Sequence, residues 1–375
     1  MPEITDQNLA AAMRAAYPEL EGIREAAADP VHLVGGAVRD LLLGRGRSDN
    51  LDLVVEGDPL TLAGALEAEV LEHERFATAT VRLDGLEVDV AAARTETYAH
   101  PGALPEVTPV ADLEADLGRR DFTINAMAIP LEEPELVDPL GGRADLEDGL
   151  LRVLHRRSFV DDPTRALRAA RYAARLGFAL EPGTEALLRE ADLSTTSSDR
   201  REAELLRLAA EPDAAHGFQL LGEWGLVVLR PNGVELARRV AQLLEAPPWR
   251  EAARRDLAVL AAALGAPGAE RDLAAARPSR PSEGAELARG RDPVELALAR
   301  ALGAEWLDEY LGAWRRVALE IDGADLIEAG VPEGPAVGRG LAAALNRKLD
   351  GEISSGRSGE LEAALEAARG GDGVA

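Results

Sequence analysis

Three stretches of the chain hold side chains whose types and spacing suit chemistry on a phosphorylated substrate. The first is VHLVGGAVRDLLLG (residues 31–44), followed by LDLVVEGD (51–58). Gly35 and Gly36 stand where an apolar strand runs into a helix, a junction whose backbone N–H groups can face an anion. Asp52 lies inside an apolar strand, a costly place for a carboxylate unless it meets a cation or a hydrogen-bond donor. Two acids at i and i+2 on one strand face can hold Mg2+, which activates a 3′-hydroxyl and clamps a triphosphate. The position two before Asp52 is Asn50; Asp49 is close, but regular alternation turns it to the other face. Glu87 and Asp89, in LEVDVA, share a face and could complete a carboxylate cluster. The competing reading, a pair of exposed edge acids, is the stronger one on these residues alone.

The second stretch is DLGRRDFTINAMAI (116–129). Arg119, Arg120 and Asp121 beside a short apolar strand suit triphosphate and sugar contacts, and Asn125 lies in the same run; a surface ion-pair cluster accounts for them equally well. The third is SFVDDPTRALRAARYAARLGF (158–178). Pro163 fits the first turn of a helix and Asp162 its N-cap, with Arg165, Arg168 and Arg171 recurring at i+3. One reading is a cap and a solvated arginine stripe. The other is base recognition: cytosine and adenine each offer an amino donor beside a ring-nitrogen acceptor, and a carboxylate beside a guanidinium matches that pair. Asp162 with Arg165 would then select C and A.

Composition narrows the setting. The formal charge of −26 argues against a nucleic-acid partner when taken alone. Its distribution does not, because residues 151–175 hold seven arginines and two acids, a local charge of +5. Absence of cysteine excludes a disulfide scaffold and a thiolate site, and the five scattered histidines form no zinc motif. No apolar run is long enough to span a membrane and the first residues do not resemble a signal peptide, so a cytoplasmic protein is expected. A Rossmann site would need G-x-G-x-x-G, which is absent.

Strands are expected at 31–35, 51–55, 78–83, 86–91, 124–130 and 136–138, with Asp84-Gly85 as a hairpin turn and helices at 37–43 and 61–71. From about Leu146 the pattern turns helical, with alanine, leucine and arginine at three-to-four spacing. Residues 265–292, rich in Pro, Gly, Ser and Arg, read as a mobile connector, and the final GGDGVA as frayed. The fold class is α+β: a mixed-sheet head followed by helical modules.

Together these elements resemble the class II tRNA nucleotidyltransferases, the bacterial CCA-adding enzymes and their poly(A) polymerase relatives. The likeness runs through GGAVRD (35–40), LDLVVEGD (51–58), RTETYAHPGALPEV (94–107), RRDFTINAMAI (119–129), VDPLGGRADLEDGLLRVL (137–154) and DDPTRALRAARYAARLGF (161–178). It continues more weakly in IDGADLIEAGVPEGPAVGRGL (321–341). The resemblance implies a polymerase-β-like head (1–145), then a helical neck (146–205), body (206–318) and tail (319–375) that hold a tRNA acceptor end.

In that frame Asp52 matches the second carboxylate of the metal-binding D-x-D, with Asp49 and Asp89 as further metal ligands. Gly35, Gly36 and Arg39 match the phosphate-binding turn and helix, and Arg119, Arg120 and Asp121 the nucleotide-contacting RRD. Asp161, Asp162 and Arg165 match the E-D-x-x-R base template, with Arg168 and Arg171 beyond it. The segment 94–105 corresponds to a flexible region that helps the switch from C to A addition. The implied activity is addition of C and A to tRNA from CTP and ATP with Mg2+, releasing pyrophosphate; neither a membrane nor a protein partner is implied. Two alternatives stay open. One is a relative adding only CC, only A or a poly(A) tail; the other is an RNA-binding descendant impaired because Asn50 replaces the first metal carboxylate.

Overall fold

Short runs of β-branched and leucine residues in the first third assemble into one sheet. The computed structural model describes every residue except 1–3, 49, 67, 74–77, 84, 267, 354–355 and 371–375. Helices α1 (Leu9–Ala16) and α2 (Leu20–Ala26) lead into β1 (Val31–Val34), α3 (Gly36–Leu42), β2 (Asn50–Val55) and α4 (Pro59–Ala65). Next come β3 (Glu69–His73), β4 (Thr78–Leu83), β5 (Leu86–Ala92), β6 (Arg94–Thr97), β7 (Glu106–Pro109), α5 (Leu113–Gly118) and β8 (Ala128–Pro130). The sheet runs β3-β4-β5-β2-β1-β8. Among the described residues of this sheet β2 and β5 pair in parallel and the other neighbours are antiparallel. Strands β6 and β7 form a separate antiparallel ladder.

The neck-like segment adds α6 (Gly142–Asp148), β9 (Leu150–Leu151), α7 (Ser158–Asp161), α8 (Thr164–Leu176), β10 (Ala179–Leu180), α9 (Pro182–Leu188) and α10 (Ser198–Ala210). Helix α8 stops at Gly177, whose φ of 75° is the left-handed conformation that ends helices. Leu113 and Leu117 of α5 pack on Val34, Val54, Ala93, Ala126 and Ala128, so α5 covers the strand ends nearest the glycine turn. The α+β class therefore stands.

The chain divides into two compact units, residues 1–212 with 223–226, and 213–222 with 227–375. The second is helical; its last part closes over Ile321, Leu326, Val331, Ala344 and Ala364.

Four local expectations are corrected. The 61–71 helix ends at Ala65, and residues 69–73 are instead edge strand β3, because Val70 and Leu71 pair with Val81 and Thr80. The 124–130 strand begins only at Ala128, after a single 3-10 turn at Thr123–Asn125. The 136–138 strand is reduced to one bridge, Ala128 to Val137. Residues 265–292 are not a plain connector: helices Glu270–Ala275 and Pro281–Ala288 occupy much of it, burying Leu273, Ala285 and Ala288. Asp84 and the end of the chain, residues 371–375, lie outside the described residues.

Phe122 ties the sheet region to α8. It is fully buried, bridges to Val153 and meets Tyr172 edge-on at 5.8 Å. Phe122→Ala should cost about 3–5 kcal/mol, read as an earlier denaturant midpoint for the first unit.

Candidate active site

Strand β1 ends at Val34 directly opposite Asp52 on β2, so the chain enters the Gly35 turn beside that carboxylate. Asp52 is opposite Asp89 on β5, and Asp89 is opposite Thr80 on β4. Residues in register on neighbouring strands share a face, so the three form a row across the sheet. Strand β5 lies between β4 and β2, which removes the edge-acid reading of Asp89 and Glu87. Thr80 Oγ1 donates to Asp89 Oδ1 at 2.6 Å and orients that carboxylate.

Asp52 escapes the cost of an acid in the core because Asn50 and Asp52 face out while Leu51 and Leu53 face in. The cleft walls still withdraw water and push its carboxyl pKa up; Arg120 pulls it down and Asp89 raises it further. Gly35 has a φ of 69°, and a Cβ there would stand 2.9 Å from Arg120 Nη1 and 3.8 Å from Asp52 Oδ2. Glycine is thus required twice, by conformation and by the approach of a guanidinium.

In front of this row lies a cleft of about 790 Å3. It gathers Gly35, Gly36, Asp52, Asp89, Arg119, Arg120, Asp121, Asn125, Asp162, Arg165 and Arg168 from the three stretches singled out above and from β5. Among the described residues no cluster of three or more His, Asp or Glu groups is arranged to hold a metal. The acids facing each other are the pair Asp52 and Asp89. Asp49 lies outside the described residues.

The walls are held by paired charges. Asp121 takes donors from Asn125 and from its own neighbour's N–H on Oδ1, and from Arg168 Nε at 2.7 Å on Oδ2. Burial alone would raise its carboxyl pKa; Arg168 and Asn125 overcome that and hold it well below the usual range. Arg168 lies over the Tyr172 ring with its Cζ 5.6 Å from the centroid, and its Nη2 donates to the Tyr172 hydroxyl.

At the other end, Asp162 Oδ1 accepts from the Thr164 N–H, the Thr164 hydroxyl and Arg200 Nη2 at 2.9 Å. Asp162 thus holds the Thr164 end of α8 and lines the cleft at once. Its ion-pair partner is Arg200, not Arg165. Arg165 is buried, donating Nη1 to Ser158 Oγ (2.7 Å) and Nη2 to the Arg119 carbonyl (2.8 Å).

Three expected site residues stand behind the lining. Arg39 is buried against Asp40 and donates Nη1 to Asn125 Oδ1 at 2.6 Å. Asp161 pairs with Arg157, and Arg171 is enclosed by Glu204 and Glu211. The arginine stripe is thus not solvated. Of the seven arginines in residues 151–175, Arg152, Arg157, Arg168, Arg171 and Arg175 each meet an acid, four of them acids from elsewhere in the chain. The local excess of +5 is largely neutralised on folding.

Sequence reasoning missed the groups that hold these side chains: Asp116, Glu96, Tyr98, Tyr172 and Arg200. Asp116 is fully buried and carries both Arg119 and Arg120. An aspartate three and four residues before two adjacent arginines was the available signal. Tyr98 donates to Glu96 Oε2, and burial pushes its pKa up to about 12.

A mixed sheet presenting paired carboxylates beside a glycine turn, with arginines opposite, defines a nucleotidyltransferase-type head. The Poly A polymerase head domain model matches residues 31–152. The CC-adding tRNA nucleotidyltransferase of Deinococcus radiodurans is 38% identical over 342 residues, covering 86% of each chain. The A-adding tRNA nucleotidyltransferase of Halalkalibacterium halodurans is 45% identical over 203 residues, 50% of this chain and 47% of that protein. This chain thus matches about half the length of that relative. A solved CCA-adding enzyme in complex with ATP has a TM-score of 0.76 at 27% identity, covering 98% of this chain and 100% of that one. The chain belongs to the class II CCA-adding enzyme and poly(A) polymerase family.

The raised carboxyl pKa of Asp52 has a sign that can be measured. A group whose pKa is higher folded than unfolded contributes stability below its unfolded pKa and loses it as pH rises through the folded one. In metal-free buffer Asp52→Asn should therefore melt above the parent at about pH 7, with the gap closing near about pH 3–4. Thermal melts across that range check it, and an equal gap at both ends counts against it.

Proposed function

We propose that this chain is an RNA 3′-end nucleotidyltransferase that adds C and A to the tRNA acceptor end from CTP and ATP, releasing pyrophosphate. Its setting is the cytoplasm; among the described residues no helix is long and apolar enough to cross a membrane. The observation that carries the reading is the register match of Asp52 with Asp89, beside the Gly35 turn and Arg120. The relatives' names supply the substrate class: one is CC-adding, one A-adding, and the solved CCA-adding enzyme is complexed with ATP.

The residues fit a divalent ion, Mg2+ in this reading. Two carboxylates face each other, and the pKa of Asp52 is raised partly by Asp89, a repulsion that a cation relieves. Mg2+ commonly takes one or two protein carboxylates and completes its shell with phosphate oxygens and water, so a pair suffices where no larger cluster forms. Asp52 and Asp89 would hold it, with Asn50 as a neutral neighbour. When bound, the ion supplies activation of the RNA 3′-hydroxyl and neutralises charge on the triphosphate.

The chain's own groups do the rest. Arg120 and the Gly36 N–H at the start of α3 grip the phosphates, the Gly35 N–H being taken by the Met127 carbonyl. Asp162 and Arg165 read the base edge, with Arg200 and Ser158 fixing their orientation. Arg119, Asp121 and Arg168 form the wall between the two ends. Head (1–145), neck (146–205), body (206–318) and tail (319–375) share the work, the last two holding the tRNA.

A second reading is CC addition alone, favoured by the Deinococcus relative that matches along 86% of the chain. Labelled CTP and ATP offered to tRNA lacking its 3′ end, and to tRNA already ending in CC, separate the two. Incorporation of both nucleotides supports CCA addition, CTP alone supports CC addition, and tRNA binding without extension supports an impaired descendant. Asp89→Asn should lower incorporation at least about a hundred-fold, because a metal's charge stabilisation is worth several kcal/mol. Asn50→Asp should raise it about ten-fold, roughly 1.4 kcal/mol of barrier.

A further inference from the structure

Asp116 opens the DLGRRDFTINAMAI stretch without a role of its own there, yet the two arginines of RRD hang from it. It lies on α5, fully shielded from water, with Asp112 capping the helix start through the Ala115 N–H. Its two oxygens divide the work. Oδ1 accepts from Arg119 Nε (2.9 Å) and Nη2 (2.8 Å), and from the Arg94 N–H. Oδ2 accepts from Arg120 Nε (3.3 Å) and Nη2 (2.9 Å). Two adjacent guanidiniums repel each other, and a single carboxylate clamping each by its Nε–Nη2 edge both cancels that repulsion and fixes both planes.

The remaining nitrogens then have set directions. Arg119 Nη1 goes to Glu96 Oε1 at 2.8 Å. Arg120 Nη1 makes no hydrogen bond among the described residues and points at the Gly35 turn, 2.9 Å from where a Cβ would be. The clamp leaves that one terminal nitrogen free, beside Asp52 in the cleft. Burial would raise the pKa of Asp116, but Arg120 and Arg119 hold it down, so the clamp stays charged through neutral pH.

We propose that Asp116 is a positioning residue that aims the RRD arginine pair, presenting Arg120 Nη1 to the phosphates of the incoming nucleotide irrespective of its base. The proposal rests on the nucleotidyltransferase reading above. It predicts an effect on nucleotide grip and none on the choice between C and A, since the base-reading side chains Asp162 and Arg165 do not touch Asp116.

The test is steady-state kinetics of the full chain with CTP and ATP, paired with equilibrium titration of each nucleotide in the absence of tRNA. Asp116→Asn should raise KM and the nucleotide Kd about ten- to a hundred-fold for both nucleotides alike, the worth of one charged hydrogen bond, with kcat far less affected. Arg120→Ala should do the same, and the double variant should be no worse than Arg120→Ala alone. Asp116→Glu keeps the charge and shifts the carboxylate by one methylene. It should still raise both constants, whereas full recovery would mean that the charge alone matters and would overturn the proposal; this variant also carries the test if Asp116→Asn does not fold. Unchanged KM and Kd in Asp116→Asn, additive losses in the double variant, or a loss confined to one nucleotide would each overturn it. If the unsubstituted chain binds and incorporates nucleotide while these variants behave like it, this proposal alone fails. If it binds neither nucleotide, the parent reading fails and takes this one with it.

Discussion

The parallel pairing of β2 with β5 is the constraint on which the site depends. Among the described residues it is the one parallel neighbour pair in a sheet otherwise built from antiparallel ladders, and it brings Asp52 level with Asp89. Slipping either strand by one residue would turn one acid into the layer occupied by Leu51, Leu53, Val88 and Val90. The buried leucines and valines therefore hold the register, and the carboxylates inherit their alignment from packing. Because β1 ends level with Asp52, the same ladder sets where the Gly35 turn begins.

Charge pairing transmits that alignment to the rest of the cleft. Asp40, Arg39, Asn125, Asp121, Arg168 and Glu204 form a continuous chain of hydrogen bonds and ion pairs that runs from behind the cleft wall into its lining. Tyr172 sits among three guanidiniums, those of Arg39, Arg168 and Arg171, with Cζ atoms 4.7–5.6 Å from its ring centre. Its partner Phe122 meets it edge-on, so the aromatic pair anchors the arginine-rich helix on the sheet region. Each member of such a network is costly to remove alone, because its partner is left charged and poorly hydrated.

Much of this was legible in the sequence, and the failures have physical reasons. Gly35, Asp52, Arg119, Arg120 and Asp162 could be read because each lies in a short contiguous stretch whose residue types restrict the chemistry. Glu96 and Arg200 could not, since a distant counter-ion is defined by closeness in space and sequence records only closeness along the chain; Asp116 left a trace in its spacing to Arg119 and Arg120. Asp89 was readable as an acid on a strand; that it faces Asp52 depends on which strands become neighbours. Residues 69–71 were expected at the end of the 61–71 helix, and pairing with β4 made them strand instead. In residues 265–292 composition misled. Pro281 starts a helix, and Gly284 serves close packing, since a Cβ there would stand 2.5 Å from the Trp314 ring.

The internal neutralisation of the arginine-rich helix bears on how this molecule meets a polyanion. With most of those cations already matched and a net formal charge of −26, its net field is repulsive to RNA and is largely screened beyond the Debye length of about 8 Å at physiological salt. Long-range steering cannot speed the encounter, so productive collisions depend on a few contacts at close range. The corresponding benefit is low non-specific retention: a surface that does not attract nucleic acid broadly does not dwell on strands that make none of those close contacts.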